Sequence, residues 1–235
     1  MNLLALETST EALSIAVRSG DKVVSRHELA PRRHAELSLP WSDELLASAG
    51  LRKRDLDAIA IGRGPGAFTG VRLAIAMGQG IAFALGKPLI GISTLAILAQ
   101  GAVRLHGATQ VLAVIDARMD EVYAARFTLN GSVVSPVSEE IVIAPSELDI
   151  SGVDGSWVVV GTGIDAVNGA LRSRLQATGA TLVPDALPDA LDLLTLAQAA
   201  LDAGMTTTPE QVEPAYLRNK VALTIAERES SKTKG

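Results

Sequence analysis

The sequence contains no cysteine, which excludes disulfide bonds, thiolate metal sites and a cysteine nucleophile. Aromatic residues make up only 3% of the chain, so few rings are present on which unpaired bases could stack. The net charge is −5, and basic residues gather only locally, at Arg32–Arg33 and Arg52–Arg54. The basic stripe of proteins that bind nucleic acid unaided is therefore missing. If RNA is a substrate, we expect another protein to hold most of it.

Long apolar runs are also missing. No uninterrupted apolar segment approaches the length that crosses a membrane. The opening residues, MNLLALETST, lack the basic segment and the long apolar core of a signal peptide. We therefore expect a cytoplasmic protein without membrane contact. Hydrophobic residues are plentiful, at 48% of 235 residues, which is enough for one large domain or two smaller ones.

The most informative stretch is AIAIGRGPGAFTGVRLAIAMGQGIAFAL, from Ala58 to Leu85. It predicts a buried strand, a glycine loop, and a helix over Thr69–Leu85 that is lined with small residues. Thr69 is a suitable N-cap for this helix. Glycines before a helix allow backbone amides to gather around an anion, and they equally allow a close packing contact. The loop lacks the lysine of a P-loop, so a weak anion site at Gly64 and Gly66 and a tight packing turn both remain open.

Two segments of the chain resemble each other. LLALETSTEALSIAV near the start and VLAVIDARMDEVYAARF at Val111–Phe127 each combine an apolar strand, a polar turn and an alternating strand. Repetition of this kind predicts two related halves, each an α/β unit with a mixed sheet. We place the halves at residues 1–106 and 107–226. The polar residues 227–235 are expected to form a disordered tail.

The two polar turns of these segments differ in chemistry. In the first, the hydroxyls and amides of Thr8 and Ser9 could contact a phosphate, although an ordinary polar turn is the favoured interpretation. The second turn contains no glycine, and Arg118 and Asp120 would crowd a phosphate there. This argues against a well-formed triphosphate site between the turns.

A helix is predicted over His34–Ala49, and Pro40 lies inside it, so the helix either kinks or begins there. His34 is followed four positions later by Ser38, where a helical metal pair would need a second histidine. The favoured interpretation of His34 is a surface histidine at a helix start. Ser93 is expected to cap a further helix.

Taken together, LLALETST…ALSIAV, His34 before its helix, GRGPGAFTGVRLAIAMGQGIA, DARMDEVYAA and Tyr216–Asn219 resemble the TsaB family, also called YeaZ. The resemblance spans essentially the whole chain. It implies the α/β actin-like/Hsp70/sugar-kinase fold, with two related subdomains that each hold a mixed β-sheet flanked by helices. It also implies a non-catalytic scaffold and activator of TsaD, the subunit that adds a threonylcarbamoyl group to the adenine beside the anticodon of tRNAs reading ANN codons.

The departures from TsaD agree with that role. Ser38 replaces a metal-binding histidine, and the segment from Asp116 replaces the glycines of the second phosphate turn. The resemblance therefore implies no catalytic residues, no metal, and no cofactor other than ATP or ADP at the TsaD interface. An autonomous ATPase or a glycopeptidase-like enzyme of this fold is the alternative. A self-sufficient RNA-binding protein is disfavoured by the charge and the sparse aromatics.

The resemblance also supplies partners. It implies a heterodimer with TsaD that helps to recruit TsaE, a homodimer where TsaD is absent, and contact with tRNA only through the complex. The helices over His34–Ala49 and Thr69–Leu85 are the matching partner surfaces. The expected contacts on these helices are Leu37, Trp41, Val71, Ala74, Ile75, Gly78 and Phe83. Packing of the same residues inside the subdomain is the alternative.

Overall fold

A computed structural model describes residues 1–218. The first half consists, in chain order, of β1 (Asn2–Glu7), β2 (Ala12–Ser19), β3 (Lys22–Leu29), α1 (His34–Ala49), β4 (Ala58–Gly62), α2 (Phe68–Leu85), β5 (Leu89–Ile92) and α3 (Thr94–His106). The second half consists of β6 (Gln110–Arg118), β7 (Glu121–Asn130), β8 (Val133–Pro136), β9 (Ile141–Ile143), β10 (Trp157–Val160), α4 (Ala166–Leu175), β11 (Thr181–Val183) and α5 (Ala190–Asp202).

The two halves repeat one sheet topology. The first sheet has the order β3-β2-β1-β4-β5, in which β1, β2 and β3 are antiparallel neighbours and β4 and β5 run parallel to β1. The second sheet has the order β11-β10-β6-β7-β8, and β9 pairs with β7. Its strands follow the same pattern, with β6 in the place of β1. The predicted repeat of two mixed sheets is therefore confirmed.

The largest hydrophobic core lies between the two sheets. Alternate residues of β1, Leu3 and Ala5, face this core, together with residues of β6 and the buried sides of α3 and α5. The other face of β1, with Leu4 and Leu6, packs against α1 and α2. This alternation follows from the two-residue period of a strand. The first sheet is thus covered on both faces, which explains the nearly continuous apolar sequence of β1.

The helix α1 has the predicted bounds, and it continues through Pro40. The prediction that Thr69 caps the next helix is wrong. Ala67 occupies the N-cap of α2, and its side chain forms no hydrogen bond there. The Ala67 N–H donates to the Ser9 carbonyl at 2.7 Å, and this contact fixes where the helix begins. Ser93 does cap α3 as predicted, and its hydroxyl accepts from two backbone N–H groups of the first turn.

The segment that follows β10 in the second half is irregular. A short 3₁₀ turn covers Thr162–Ile164, and α4 follows with left-handed backbone angles at Val167, Asn168 and Gly169. Residues 213–218, the last that the structure describes, contain neither helix nor strand. We call residues 213–218 the strap. The expected disordered tail lies outside the described residues.

Among the helices of residues 1–218, α2 alone has the length and apolar composition of a membrane span. It connects the parallel strands β4 and β5 and packs against their sheet. Its position in this crossover, with buried residues along one side, identifies α2 as a sheet-covering helix.

Candidate functional site

The turn between β1 and β2 is occupied by its own side chains. The Glu7 carboxylate accepts from the Ser9 N–H at 2.6 Å and from the Ser9 hydroxyl at 2.5 Å. The Ser9 hydroxyl lies 3.0 Å from the Thr94 hydroxyl. Glu7 is fully buried, and this burial raises the pKa of its carboxyl above the usual range. The Ser9 N–H, which a phosphate would need at this turn, is therefore already bonded.

The glycine loop lies directly on this turn. The Thr8 hydroxyl donates to the Gly70 carbonyl at 2.7 Å. A Cβ added at Gly70 would lie 2.0 Å from the Thr8 carbonyl oxygen, and one at Gly66 would lie 2.5 Å from the Ser9 carbonyl oxygen. Only glycine permits such an approach. Gly66 and Gly70 therefore serve close packing on the turn, while the weak anion site at Gly64 and Gly66 stays a prediction.

Two more glycines of the loop have different roles. A Cβ at Gly62 would lie 1.8 Å from the Glu7 carboxylate, so this glycine makes room for the buried acid. Gly64 has a φ of +92° and faces Val71, so it provides a left-handed backbone position in the turn. Of the four residues predicted for a weak phosphate site, Ser9 and Gly66 line a cavity beside the turns, whereas Thr8 and Gly64 do not.

The second polar turn is a tight hairpin. Met119 and Asp120 form its two-residue loop with φ values of +55° and +61°, and Arg118 before them is also left-handed. The Arg118 side chain bonds Asp116 at 2.9 Å and reaches Glu11 of the first turn at 3.3 Å. A guanidinium therefore spans the gap between the two turns. Arg118 therefore crowds that gap, as expected, whereas Asp120 lies in the hairpin loop and does not line the space between the turns.

A cavity of about 450 Å³ remains beside these turns. Its wall is completed by the strap, where the Ala215 N–H donates to the Arg63 carbonyl at 2.9 Å. Tyr216 contacts Arg72 of α2 through its hydroxyl, and Arg218 pairs with Glu121 of β7. The strap therefore connects both halves across the cavity.

Metal ligands are not gathered in the described residues. No group of three or more histidine and acidic side chains within residues 1–218 could hold a metal ion. Ser38 is buried and donates to the His34 carbonyl at 2.6 Å. The His34 ring lies 3.1 Å from the Ala12 carbonyl oxygen. His34 is thus half-buried against β2 rather than a free surface histidine.

The expected partner contacts lie mostly in the core of the chain itself. Five of these residues are buried: Trp41, Val71, Ala74, Ile75 and Gly78. A Cβ at Gly78 would lie 2.6 Å from Ile61, so this glycine seats α2 on the sheet. Leu37 is half-buried. Phe83 alone of the expected contacts is exposed, at 73%.

The outer face of α2 is apolar as well. Ala76, Gly80 and Ala84 are exposed beside Phe83, and Leu39 of α1 is 48% exposed. We call Ala76, Gly80, Phe83 and Ala84 the outer face of α2. Charged residues are missing from this face, which is unusual for a helix in contact with water.

A family model described as TsaD, tRNA N6-adenosine threonylcarbamoyltransferase, matches residues 21–226. The tRNA threonylcarbamoyladenosine biosynthesis protein TsaB of Escherichia coli (strain K12) is 41% identical over 227 residues, which cover 94% of this chain and 96% of that protein. The TsaB protein of Haemophilus influenzae is 40% identical over 230 residues, which cover 94% of this chain and 95% of that one. The chain belongs to the TsaB family.

A solved structure agrees with this assignment. YeaZ from Pseudomonas aeruginosa is 44% identical and superposes with a TM-score of 0.85, covering 92% of this chain and 99% of that one. The resemblance to the TsaB family and the expected α/β fold class are confirmed.

Several residues at the cavity of this TsaB-family chain were not among the predicted site residues. The charged side chains of Arg72 and Arg218 and the ring of Tyr216 line this cavity. Glu11 lines it as well and forms an ion pair with Arg118 of the other turn. One local signal was present for Arg72, because it follows Phe68 by one helical turn and can stack on the ring of Phe68. Tyr216 and Arg218 of the strap belong to the Tyr216–Asn219 segment of the family resemblance, but their local pattern did not indicate a site, since they meet α2 and β7 through contacts about 100 residues apart or more.

Proposed function

We propose that this chain acts in the synthesis of threonylcarbamoyladenosine in tRNA, as a non-catalytic subunit that binds a TsaD-type transferase and stabilises its active conformation. The observation that carries the proposal is the likeness to named TsaB proteins over almost the whole length of both chains. Binding one state of the transferase better than another would raise the population of that state. No chemistry of the chain itself is needed for this.

The closed turns support a role without catalysis. Glu7 holds the Ser9 amide, and Thr8 is bonded to Gly70, so neither turn residue offers free donors to a phosphate chain. A phosphoryl-transfer site needs such donors together with a bound metal. The described residues provide no cluster of metal ligands. We therefore assign ATP or ADP, if it binds as a cofactor, to the interface with the transferase.

The outer face of α2 is the surface that we propose for the partner. Its exposed alanines and glycine allow a second helix to approach closely, and Phe83 offers a large side chain at the end of the same face. Leu39 of α1 extends the apolar surface. The buried residues Trp41, Val71, Ala74, Ile75 and Gly78 would act by holding α1 and α2 in place.

We further propose that TsaE joins through the TsaD-bound chain, that two copies pair through this face where TsaD is absent, and that tRNA contacts the chain only within the complex. A net charge of −5 supports the last point. The protein would then work in the cytoplasm without a membrane. Of the two halves, residues 1–106 and 107–226, the first would bind the partner.

Co-purification with the TsaD-type protein of the same cell tests the partner surface. Replacing Ala76 by Glu places a charge in the centre of the exposed face without touching the core. We expect the complex to weaken by about a hundredfold or more, because a carboxylate is costly to bury in an apolar interface even where Arg72, one helical turn earlier, can pair with it. Ala177→Glu, at an exposed position after α4, is the matched control and should leave the complex intact.

Two outcomes would overturn the proposal. Unchanged co-purification of the Ala76→Glu variant would show that α2 does not face the partner. Modification of tRNA by the chain alone, at the rate of the complete complex, would contradict a non-catalytic role. Tight binding of Mg·ATP by the isolated chain, measured by calorimetry, would support the alternative of an autonomous ATPase.

A further inference from the structure

The helix α2 carries two long polar side chains among its apolar and small residues, those of Arg72 and Gln79. They lie seven residues apart, which is close to two full turns, so both project from the same side of the helix. Both are half-buried, at the border between the buried side of α2 and its outer face. This polar side is separate from the surface that we propose for the partner.

Both of these side chains bond residues near the end of the described chain. We call residues 207–212 the connector, because they lie between α5 and the strap. The Gln79 amide donates to the Pro209 carbonyl at 3.0 Å and to the Val212 carbonyl at 3.3 Å. Arg72 contacts the hydroxyl of Tyr216 in the strap. The polar side of α2 therefore holds residues that follow it by 130 positions or more.

The connector is also fixed to the first sheet. The Thr207 N–H donates to the Leu89 carbonyl at 3.3 Å, and the Leu89 N–H donates to the Thr207 carbonyl at 3.2 Å. Leu89 begins β5, which is an edge strand of that sheet. Val212 is 6% exposed and lies in the core that α1 and α2 share with the first sheet. The connector thus packs as part of the first half, although it follows α5 in the chain.

The connector and the strap run antiparallel to α2. Tyr216 contacts Arg72 near the start of the helix, and the connector contacts Gln79 two turns later. We call the connector and the strap together the clamp. The sheet holds the buried side of α2, the clamp holds its polar side, and the outer face is left exposed.

We propose that the clamp positions α2 for its partner, with Gln79 as the positioning residue. This inference rests on the proposed function, in which the outer face of α2 binds a TsaD-type transferase. A helix that sampled several positions would present its outer face correctly for only part of the time, and the apparent affinity would fall by that fraction. The clamp raises the fraction before the partner arrives, so less ordering is needed on binding.

Calorimetry with the full chain and the TsaD-type protein of the same cell tests the role of Gln79. Gln79→Met keeps the length of the side chain and a similar helix propensity, but it removes both hydrogen bonds to the connector. We expect the complex to weaken about tenfold, since these bonds hold α2 while the outer face is unchanged. Gln198→Met is the matched control. It removes a glutamine hydrogen bond within α5 and should bind the partner as the unaltered chain does.

Hydrogen exchange gives a readout that a general loss of stability would not produce. The amides of Thr207 and Ala215 are bonded to Leu89 and Arg63 of the first half. In the isolated Gln79→Met chain, these two amides should exchange about tenfold faster, while those of the second sheet exchange as before. In the unaltered chain, partner binding should slow their exchange, because a coupling between two sites acts in both directions.

Two further substitutions of Gln79 separate the hydrogen bonds from the shape of the side chain. Gln79→Lys retains a donor for the connector carbonyls and should recover part of the affinity lost in Gln79→Met. Gln79→Glu presents only acceptors to the same carbonyls and should bind the partner most weakly of the three variants.

Unchanged exchange at Thr207 and Ala215 in Gln79→Met would show that Gln79 does not hold the clamp, and the proposal would then be wrong. Faster exchange with unchanged affinity would equally overturn the positioning role, while leaving the proposed partner surface intact. The proposed function fails by a different result, namely no complex with the unaltered chain or normal binding by Ala76→Glu. That result would overturn the positioning role as well, and it is recognised without any Gln79 variant.

Discussion

At the scale of single residues, Glu7 is the most constrained side chain of the first turn. Its carboxyl is fully buried, and one oxygen accepts two hydrogen bonds from Ser9. The other oxygen is buried without a hydrogen-bond partner in the described residues. Burial outweighs these hydrogen bonds and raises the pKa of the group. The acid is therefore held in a site that favours its neutral form.

This raised pKa makes stability depend on pH in a defined direction. Above its ordinary pKa of 4.5, Glu7 ionises in the unfolded chain while the folded chain retains the proton. The contribution of Glu7 to the stability of the fold is therefore present at low pH, and it is lost as the pH rises through the raised pKa of Glu7 in the folded chain. We expect the stability of the unaltered chain relative to Glu7→Gln to fall as the pH rises from 5 to 8, in urea unfolding experiments.

The exposed Glu139 is the matched control for this experiment. Glu139→Gln should show the same pH profile as the unaltered chain. If Glu7→Gln and the unaltered chain have parallel profiles, then Glu7 does not titrate differently on folding and its inferred state is wrong.

At the scale of elements, the seating of α2 on the first turn depends on the absence of a side chain. Two glycines of the same helix provide a comparison. A Cβ at Gly70 would lie 2.0 Å from the Thr8 carbonyl oxygen, whereas a Cβ at Gly80 would meet nothing within 4 Å. The same substitution should therefore have opposite effects at the two positions.

We expect Gly70→Ala to lower the free energy of unfolding by about 2 to 3 kcal/mol, because backbone atoms must move apart. Gly80→Ala should raise it by about 0.5 to 1 kcal/mol through the higher helix propensity of alanine. Urea unfolding of the two variants measures both changes. A Gly70→Ala variant as stable as the unaltered chain would show that the loop does not pack tightly on the turn.

The helices also show what the sequence could and could not predict. The bounds of α1 followed from local signals, since Gly50 takes a left-handed conformation at its C-cap. The start of α2 could not be predicted from local signals, because the contact from Ala67 to Ser9 joins residues far apart in sequence. The small residues of α2 were recognised as a packing surface. Their pattern did not indicate that Ala74 and Gly78 face the sheet while Ala76 and Gly80 face outward.

At the scale of the whole molecule, the helices α3 and α5 lie in the core between the two sheets, and an ion pair links them. Arg104 of α3 donates two hydrogen bonds to Asp192 of α5, at 2.8 and 2.7 Å. Asp192 is 1% exposed, and burial raises the pKa of its carboxyl in spite of Arg104. Arg104 also reaches Asp189, which accepts from Ser14 of β2. The network therefore connects the central helices to the first sheet.

Removing Arg104 should leave a buried carboxyl without its charged partner. We expect Arg104→Met to cost about 1 to 3 kcal/mol in the free energy of unfolding, less than for a fully buried pair because Arg104 is partly exposed. Adding Asp192→Asn to the Arg104→Met variant should recover part of the lost free energy of unfolding. The experiment measures how far the effects of the two changes depart from additivity. Additive effects of the two changes would mean that the pair contributes nothing to the joining of the halves.

The repeat of the two halves could be predicted because the β1–β2 and β6–β7 segments have similar patterns of apolar residues. The cavity between them could not, since its walls include the strap, which follows α5 in the chain and returns to Arg63 and Arg72 of the first half. Contacts of this kind depend on the tertiary fold and leave no local periodicity in the sequence.

The packing of the glycine loop on the first turn has a consequence for redesign of the chain. Opening a phosphate site there would require the Ser9 amide to be released from Glu7, the Thr8 hydroxyl to be released from Gly70, and α2 to move away from the turn. No single substitution opens all three contacts, and each one alone removes a packing contact without gaining a ligand. A designer would therefore have to change the turn and the seating of α2 together.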